Sequence, residues 1–412
     1  MAENYDVVIV GSGLAGLRAS VELAKKNISF VILEASSEVG GKLKTDKIDG
    51  FLLDHGFQVF QTSYPEAKNV LNYPDLKLGK FKNGALIRIG KRFERFVDPR
   101  HHPFEIFSAL TSKVGSLGDK VRLLLMSIKL RQGTIPEMLQ RREITTMQYL
   151  QSVGFSQSMI ENFFGPFLSG VFLEKDLKTS SRVFEFVFRM FSSGQASLPE
   201  EGISAIPQQL LAKLPESSIQ LNSKVNSISK GTVKLENGKI IHANNVLIAT
   251  DAIDAHGLVK NVNKVSYSPA KCFYFATETP PITEPILVLN GNKGVINTLA
   301  VPSLVSSKYA PSGKHLVSIT TFDEGDDLVE KISTEAETWF GEQVQQWQFL
   351  KSYKIDRAIP FFDGGKSEVC QKNSCIEEGI YYCGDYLDVP SINGALSSGK
   401  RAAETIINGL NS

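Results

Sequence analysis

Glycine spacing near the start of the chain, answered by one acid, describes the chemistry of holding a pyrophosphate. Gly11, Gly13 and Gly16 form a Gly-x-Gly-x-x-Gly run, and Glu34 lies eighteen residues beyond the last of them. Gly11 permits a tight turn, Gly13 lets backbone approach a pyrophosphate, and Gly16 lets the next helix pack on the preceding strand. A helix opening at Leu14 and Ala15 aims unpaired N–H groups and partial positive charge at the same phosphates. A carboxylate at Glu34, followed by Ala35, can accept hydrogen bonds from ribose hydroxyls and would repel a 2′-phosphate. Three elements must position these residues. Residues 6–10 read as a buried parallel strand, 14–26 as a helix, and 30–33 as a second strand ending at Glu34. The reading is a dinucleotide site, with NAD and FAD both open. The competing reading is a glycine-rich turn in an unrelated α/β protein.

Other chemistry-bearing residues are scattered along the chain. Gly40-Gly41-Lys42 offers two glycines and a cation, suited to a loop over phosphate or flavin, or to a plain helix-ending turn. Asp54-His55-Gly56 marks a strand running into another glycine turn. His55 reads either as a group near the cofactor or as a turn histidine satisfied locally.

Composition narrows the class. The chain has 412 residues, 42% hydrophobic and 22% charged, with net charge +1. No bulk field favours nucleic acid. Cys272, Cys370, Cys375 and Cys383 form no CxxC pair, and the histidines are dispersed apart from His101-His102. Reduced thiols and no metal are expected. Only Met1 to Asn4 precede the first strand, and no apolar run reaches the ~18 residues of a membrane span. A cytoplasmic protein is expected.

The remaining elements alternate in character. Residues 80–97 read as strands, and beyond Pro103 the pattern is helical. Residues 121–131 form a helix apolar nearly all round, with Lys120, Arg122, Lys129 and Arg131 near its ends. It reads either as a buried helix with solvated tips or as a membrane-surface or substrate-entry helix. The aromatics from Phe163 to Phe191 read as core, or as lining for a large apolar substrate. Residues 219–229 read as one strand containing Lys224-Val225. A hairpin turns at Glu236-Asn237-Gly238, and residues 246–250 read as a separate buried strand. Alternating runs from 262 to 356 suggest an antiparallel sheet. Near the end, another buried strand runs into Gly384-Asp385, and a last helix starts around Ile392-Asn393-Gly394-Ala395.

Nucleotide-domain character thus occurs at the start, middle and end of the chain, which favours a cofactor spanning the whole domain. Asp385 would offer a carboxylate to a ribityl hydroxyl. The helix start at Gly394 and Ala395 would stabilise negative charge on a reduced flavin.

Taken together, the chain resembles the FAD-dependent amine oxidase, protoporphyrinogen oxidase and phytoene desaturase superfamily. The matched pieces are Gly11/Gly13/Gly16 with Glu34, Gly40-Gly41-Lys42, Lys224-Val225, Ala249-Thr250, and Gly384-Asp385 with Gly394-Ala395. They run end to end. The resemblance implies an α/β fold: a glutathione-reductase-like FAD-binding Rossmann domain built from separated segments, with an inserted α+β substrate domain of antiparallel sheet and helical cap. The expected division is 1–63, 198–261 and 357–412 for FAD, and 64–197 with 262–356 for substrate. It also implies cofactor contacts from His55, Gly56, Val225, Thr250, Ile392 and Asn393. Gly41-Lys42 and the run from Gly384-Asp385-Tyr386 to Ser398-Gly399-Lys400 are similar to plant and cyanobacterial-type carotene desaturases.

Departures matter too. Lys42 stands where many members have Arg, losing planar bidentate bonding. Ser391 stands where monoamine-type oxidases carry a cage Tyr, and no cysteine near it could attach flavin, so FAD is expected to be non-covalent. Glu201-Gly202 replaces paired glycines. The implied activity is desaturase- or oxidase-like hydride transfer from an apolar, isoprenoid- or tetrapyrrole-like substrate to flavin N5, with O2 or a quinone as acceptor. No catalytic side chain is assigned; the resemblance to amine oxidases makes Lys271 and Lys293 candidates for a lysine next to the flavin, not separable by sequence from surface lysines. The alternative is amine oxidation at a C–N bond; a redox-neutral isomerase and a non-catalytic flavoprotein stand further off. An isoprenoid substrate or quinone acceptor would bring peripheral membrane contact through residues 121–131.

Overall fold

In the first strand, Asn4–Val10, the run Val7-Val8-Ile9-Val10 is buried throughout because it lies mid-sheet. It pairs in parallel with Phe30–Leu33 on one side and Ile240–Ile248 on the other. The structure, a computed structural model, describes residues 4–97, 114–366 and 374–411. Its first sheet has eight strands, in the order Ile219–Gln220, Phe30–Leu33, Asn4–Val10, Ile240–Ile248, Thr232–Leu235, Val225–Ser229. Ile380–Tyr382 pairs in parallel with the end of Ile240–Ile248 and carries Cys375–Glu377. Parallel neighbours need a crossover, supplied between the first two by helix Leu14–Lys25.

That helix shares one apolar cluster with the C-terminal helix, Ile392–Leu410, through Leu17, Leu23, Leu396 and Ile406. The two approach so closely that a Cβ on Gly399 would sit 2.1 Å from the Ala15 carbonyl oxygen. The end of the chain is therefore packed onto its beginning.

Two strands differ from the sequence reading. Residues 240–242 and 246–248 belong to one strand, Ile240–Ile248. Its first half alternates exposed and buried against Thr232–Leu235; its second half is buried on both faces between parallel neighbours. The change of periodicity, not a break in the chain, made it read as two. Conversely, residues 219–229 are two strands at opposite ends of the sheet order, Ile219–Gln220 and Val225–Ser229. The link crosses the end of Phe30–Leu33, where Asn222 N–H donates to Ser36 O and Ser223 N–H to Glu34 O.

The second sheet has seven strands, in the order Gln348–Pro360, Tyr267–Thr277, His315–Thr321, Thr298–Ala300, Leu287–Asn290, Gly84–Ile89, Arg92–Val97. It is antiparallel except where Leu287–Asn290 runs parallel to Gly84–Ile89. The mixed pairing arises because the hairpin Gly84–Ile89 and Arg92–Val97 completes a sheet otherwise built from 267–360. Above it sit the cap helices. Phe164, Phe184, Phe186 and Phe188 are buried there with Met126, Leu130 and Leu168, so these aromatics form the core of the cap.

Helix Leu117–Arg131 is not a buried helix with solvated tips. It buries Asp119, Met126, Ser127 and Leu130 on one side. Leu117, Val121, Leu124, Leu125 and Ile128 stand exposed on the other. His101, His102, Phe107, Leu110 and Cys370 lie outside the described residues.

Candidate functional site: a cradle closed by both ends of the chain

The turn after the first strand is fixed by close packing. Gly11 takes φ +104° against the Ala249 carbonyl and the Thr250 amide nitrogen. A Cβ on Gly16 would lie 2.2 Å from the Gly11 carbonyl oxygen. Gly13 is different. Nothing lies within 4 Å of the position its Cβ would take. Gly13 is also the N-cap of the twelve-residue helix Leu14–Lys25, with no side chain accepting from the helix N-terminus. Open space in front of an uncapped helix start, next to Leu14 and Ala15, is where an anionic ligand gains most. Gly41 leans on Gly13, at 3.1 Å from its would-be Cβ to Gly13 Cα, and Gly40 N–H donates to Ser12 O.

Glu34 accepts four hydrogen bonds, from the N–H and hydroxyl of Ser12 and the N–H and hydroxyl of Ser36, at 2.6 to 2.9 Å. Burial alone would raise its pKa. The bonds from Ser12 and Ser36 outweigh it and hold the carboxyl below the usual range. Both backbone donors are fixed, whereas the two hydroxyls can rotate and yield to a ribose. Ala35 is exposed just beyond.

The C-terminal half of the cradle arrives from the other end of the chain. Lys42 Nζ pairs with Asp385 Oδ2 at 2.9 Å and lies 5.0 Å from the centre of the Tyr267 ring. Gly384 N–H donates to Ser398 Oγ. At the helix start, Ser391 Oγ accepts from Gly394 N–H at 3.0 Å, and Ala395 N–H donates to Ser391 O. A Cβ on Gly394 would meet the Val389 carbonyl at 1.9 Å, which restricts this position to glycine.

Three expected residues are placed less directly. Asn393 is buried, and its side-chain oxygen accepts from Glu66 N–H, tying the last helix to Pro65–Val70. Ile392 packs on the same apolar cluster. Val225 is buried opposite Leu235, one strand start away from the crossing over Glu34. Lys271 donates to Asp323 O, and Lys293 is exposed.

His55 joins a polar group that the sequence did not reveal. Its Nε2 lies 2.8 Å from Asp46 Oδ1. Asp46 Oδ2 accepts from Lys351 Nζ at 2.6 Å and from Tyr353 Oη at 2.7 Å. Burial pulls the Asp46 pKa up, but these bonds win and lower it strongly. His55 is joined to the cradle through backbone: Gln58 Nε2 donates to both Lys42 O and His55 O. Gly56 takes φ +88° with Ile355 Cδ1 close above it. Beneath lies Asp54, buried, accepting from Thr45 Oγ1, Ile203 N–H and Tyr309 Oη. Burial pushes its pKa up to about 6. Lys351 and Tyr353 left no usable signal because only the pairing of Gln348–Pro360 brings them to Asp46. Among the described residues no cluster of three or more His, Cys, Asp or Glu could hold a metal ion.

A family model described as flavin containing amine oxidoreductase matches residues 14–407. The chain belongs to this family. Within the flavin containing amine oxidoreductases, it is 20% identical to protoporphyrinogen oxidase 2 of Arabidopsis thaliana, over 98% of this chain and 94% of that one. It is 32% identical to a 4,4'-diapophytoene desaturase of Staphylococcus haemolyticus, over 28% of this chain and 21% of that one. Its fold matches that of an oxidoreductase from Methanosarcina mazei, with TM-score 0.75, 15% identity, and 98% and 99% of the two chains covered. It also matches putrescine oxidase, with TM-score 0.74, 16% identity, and 98% and 99% covered. Membership makes the protein a flavin-dependent oxidoreductase with the expected α/β, glutathione-reductase-like fold.

The residues present fit a flavin. The open uncapped helix start suits phosphate, Glu34 suits a ribose, and Lys42 with Asp385 provides one donor and one acceptor beyond them. Such a cofactor, when bound, supplies the electron-accepting ring.

Proposed function

We propose that the protein is an FAD-dependent desaturase or oxidase that binds FAD non-covalently and takes a hydride from an apolar substrate of the isoprenoid or tetrapyrrole class. The observation that supports this reading is that Gly13 with its open helix start, Glu34, the Lys42–Asp385 pair and the Ser391–Ala395 helix start are drawn together from both ends of the chain, a set of partners suited to a dinucleotide rather than a single nucleotide. Cys383 is buried in the core, so it is no site for flavin attachment. Ser391 is spent on capping Gly394 and offers no aromatic wall for an amine. The names of the relatives, a protoporphyrinogen oxidase and a diapophytoene desaturase, support the substrate class.

In this reading residues 1–63, 198–261 and 357–412 hold the cofactor, and 64–197 with 262–356 hold the substrate. Gly11, Gly13, Leu14, Ala15 and Gly16 bind pyrophosphate. Glu34, Ala35, Val225 and Thr250 surround the adenosine end. Gly41, Lys42, His55, Gly56, Gly384, Asp385 and Ile392 to Ala395 surround the flavin end. The protein orients the substrate and excludes water, and no side chain is assigned as acid or base. O2 or a quinone accepts the electrons, and the protein works in the cytoplasm, peripherally on a membrane.

The test is to denature the purified protein, identify the released cofactor, and then follow anaerobic flavin bleaching against carotenoid, tetrapyrrole and amine panels. Release of FAD and rapid bleaching by a carotenoid or tetrapyrrole are expected. Bleaching by amines alone would overturn the substrate assignment.

A further inference from the structure

Among the described residues ten large apolar side chains are exposed, and five of them belong to the single helix Leu117–Arg131. Leu117 is 64% exposed, Val121 57%, Leu124 45%, Leu125 59% and Ile128 41%. At 3.6 residues per turn these five fall within an arc of about 100°, one continuous stripe. The opposite side is anchored in the cap core by Met126 and Leu130. The helix is thus apolar on two opposed faces, and only one is used by the fold.

The charges are ordered around the stripe. By helical position Lys120 and Arg131 fall along one edge and Arg122 and Lys129 along the other, all within roughly 60° of it; Lys120 is partly buried, and Arg122 also reaches Asp119 at 3.8 Å. The helix has one acid, Asp119, and it is turned inward. It accepts from the N–H and hydroxyl of both Ser116 and Ser156. Glu94, on the neighbouring strand Arg92–Val97, is the acid facing Lys120. The outer face therefore presents aliphatic side chains between two rows of cations.

We propose that this helix is a membrane-docking face, laid flat on a bilayer that carries anionic lipid; this rests on the reading that the substrate is apolar and resides in lipid. Aliphatic side chains enter the acyl boundary while long cationic stems reach back to phosphate groups. A protein partner is less well matched, because the stripe lacks the Trp and Tyr anchors and directional hydrogen bonds that specify protein contacts. The helix is about 22 Å long at 1.5 Å per residue, too short to cross a bilayer. Among the described residues no helix is long and apolar enough to cross one.

The experiment is flotation of the flavin-loaded protein with substrate-free vesicles of phosphatidylcholine, with and without phosphatidylglycerol. Wild type floats with the anionic vesicles. Val121→Glu with Leu125→Glu lowers the floated fraction roughly tenfold or more while flavin absorbance and Tm are unchanged. Arg122→Gln with Lys129→Gln removes the preference for anionic lipid. Failure of wild type to float, or equal flotation of the double Glu variant, overturns the proposal. So does a lowered Tm or altered oligomeric state in that variant, which would mean that the chain itself or a second copy covers the stripe. Because the vesicles hold no substrate, docking and substrate class fail separately. Flotation with bleaching by amines alone would refute only the substrate reading. Turnover of detergent-dispersed carotenoid without flotation would refute only the docking face.

Discussion

Lys42 and Asp385 are 343 residues apart in sequence, and their charged atoms meet at 2.9 Å. Read separately, each was expected to face the cofactor, Lys42 as a cation for phosphate or flavin and Asp385 as an acceptor for a ribityl hydroxyl. The structure makes them one unit. Lys42 Nζ lies over the Tyr267 ring, 5.0 Å from its centre, and the pair is partly shielded from water. A carboxylate held by an ammonium keeps its acceptor oxygens oriented, and the ammonium is restrained from reaching into solvent.

Breaking that unit should loosen the flavin without unfolding the protein. Lys42→Met and Asp385→Asn are each expected to raise the cofactor dissociation constant about tenfold, or ~1.4 kcal/mol. Lys42→Arg should recover most of the loss by restoring the charge. Flavin retained after ultrafiltration, from the visible-to-ultraviolet absorbance ratio, measures it. Full retention in both single variants would remove the pair from the cofactor site.

Glycine substitutions should separate ligand binding from folding. A methyl group on Gly13 meets no protein atom within 4 Å, so Gly13→Ala should leave the Tm of the flavin-free protein nearly unchanged, compared with flavin-stripped wild type, yet obstruct the pyrophosphate and yield a colourless protein. Gly16→Ala and Gly399→Ala press a methyl group onto a backbone carbonyl, at 2.2 and 2.1 Å. They should destabilise by about 1–3 kcal/mol or prevent accumulation of folded protein. Thermal unfolding with absorbance of bound flavin distinguishes the classes. A colourless Gly16→Ala protein of normal Tm would contradict this account.

Glu34→Ala strands the two backbone N–H donors of Ser12 and Ser36. The expected cost is about 1–3 kcal/mol in urea unfolding, with reduced flavin occupancy. Unchanged occupancy would count against Glu34 as the ribose acceptor.

The buried Asp54 sets a pH dependence of known sign. Its folded pKa, about 6, lies above the model-peptide value of 3.8. The native state therefore holds the proton more tightly. The resulting stability is complete below about pH 4 and is lost as pH rises through about 6, an increment of about 3 kcal/mol. Other carboxylates contribute their own slopes, so the difference between wild type and Asp54→Asn isolates it. Relative to that variant, wild type should lose stability between pH 4 and 7 in urea titrations. Parallel pH profiles would show that Asp54 titrates normally.

Much of the cradle was legible because local chemistry dictates it. Gly11 needs positive φ, and Gly16 has no room for a Cβ. The buried strand before them had to be parallel and covered by a helix. Other parts were not legible. The strand Ile240–Ile248 changes periodicity halfway, since its neighbours change from a solvated hairpin to buried parallel strands. Asp46, Lys351 and Tyr353 carry no motif, and Asn393 is turned towards Glu66 by helix packing alone.

The sequence by itself determined that a pyrophosphate-binding turn opens the chain, that an acid follows it, and that matching pieces recur to the end. Those features depend on backbone conformation and short spacings, which a few residues fix. Only the tertiary structure decided that Lys42 answers Asp385, that Asp46 gathers His55, Lys351 and Tyr353, and which side of Leu117–Arg131 is left bare. Such relations depend on sheet register and on which face a helix turns to its neighbours. Both are set by burial summed over the whole chain rather than by any local run of residues.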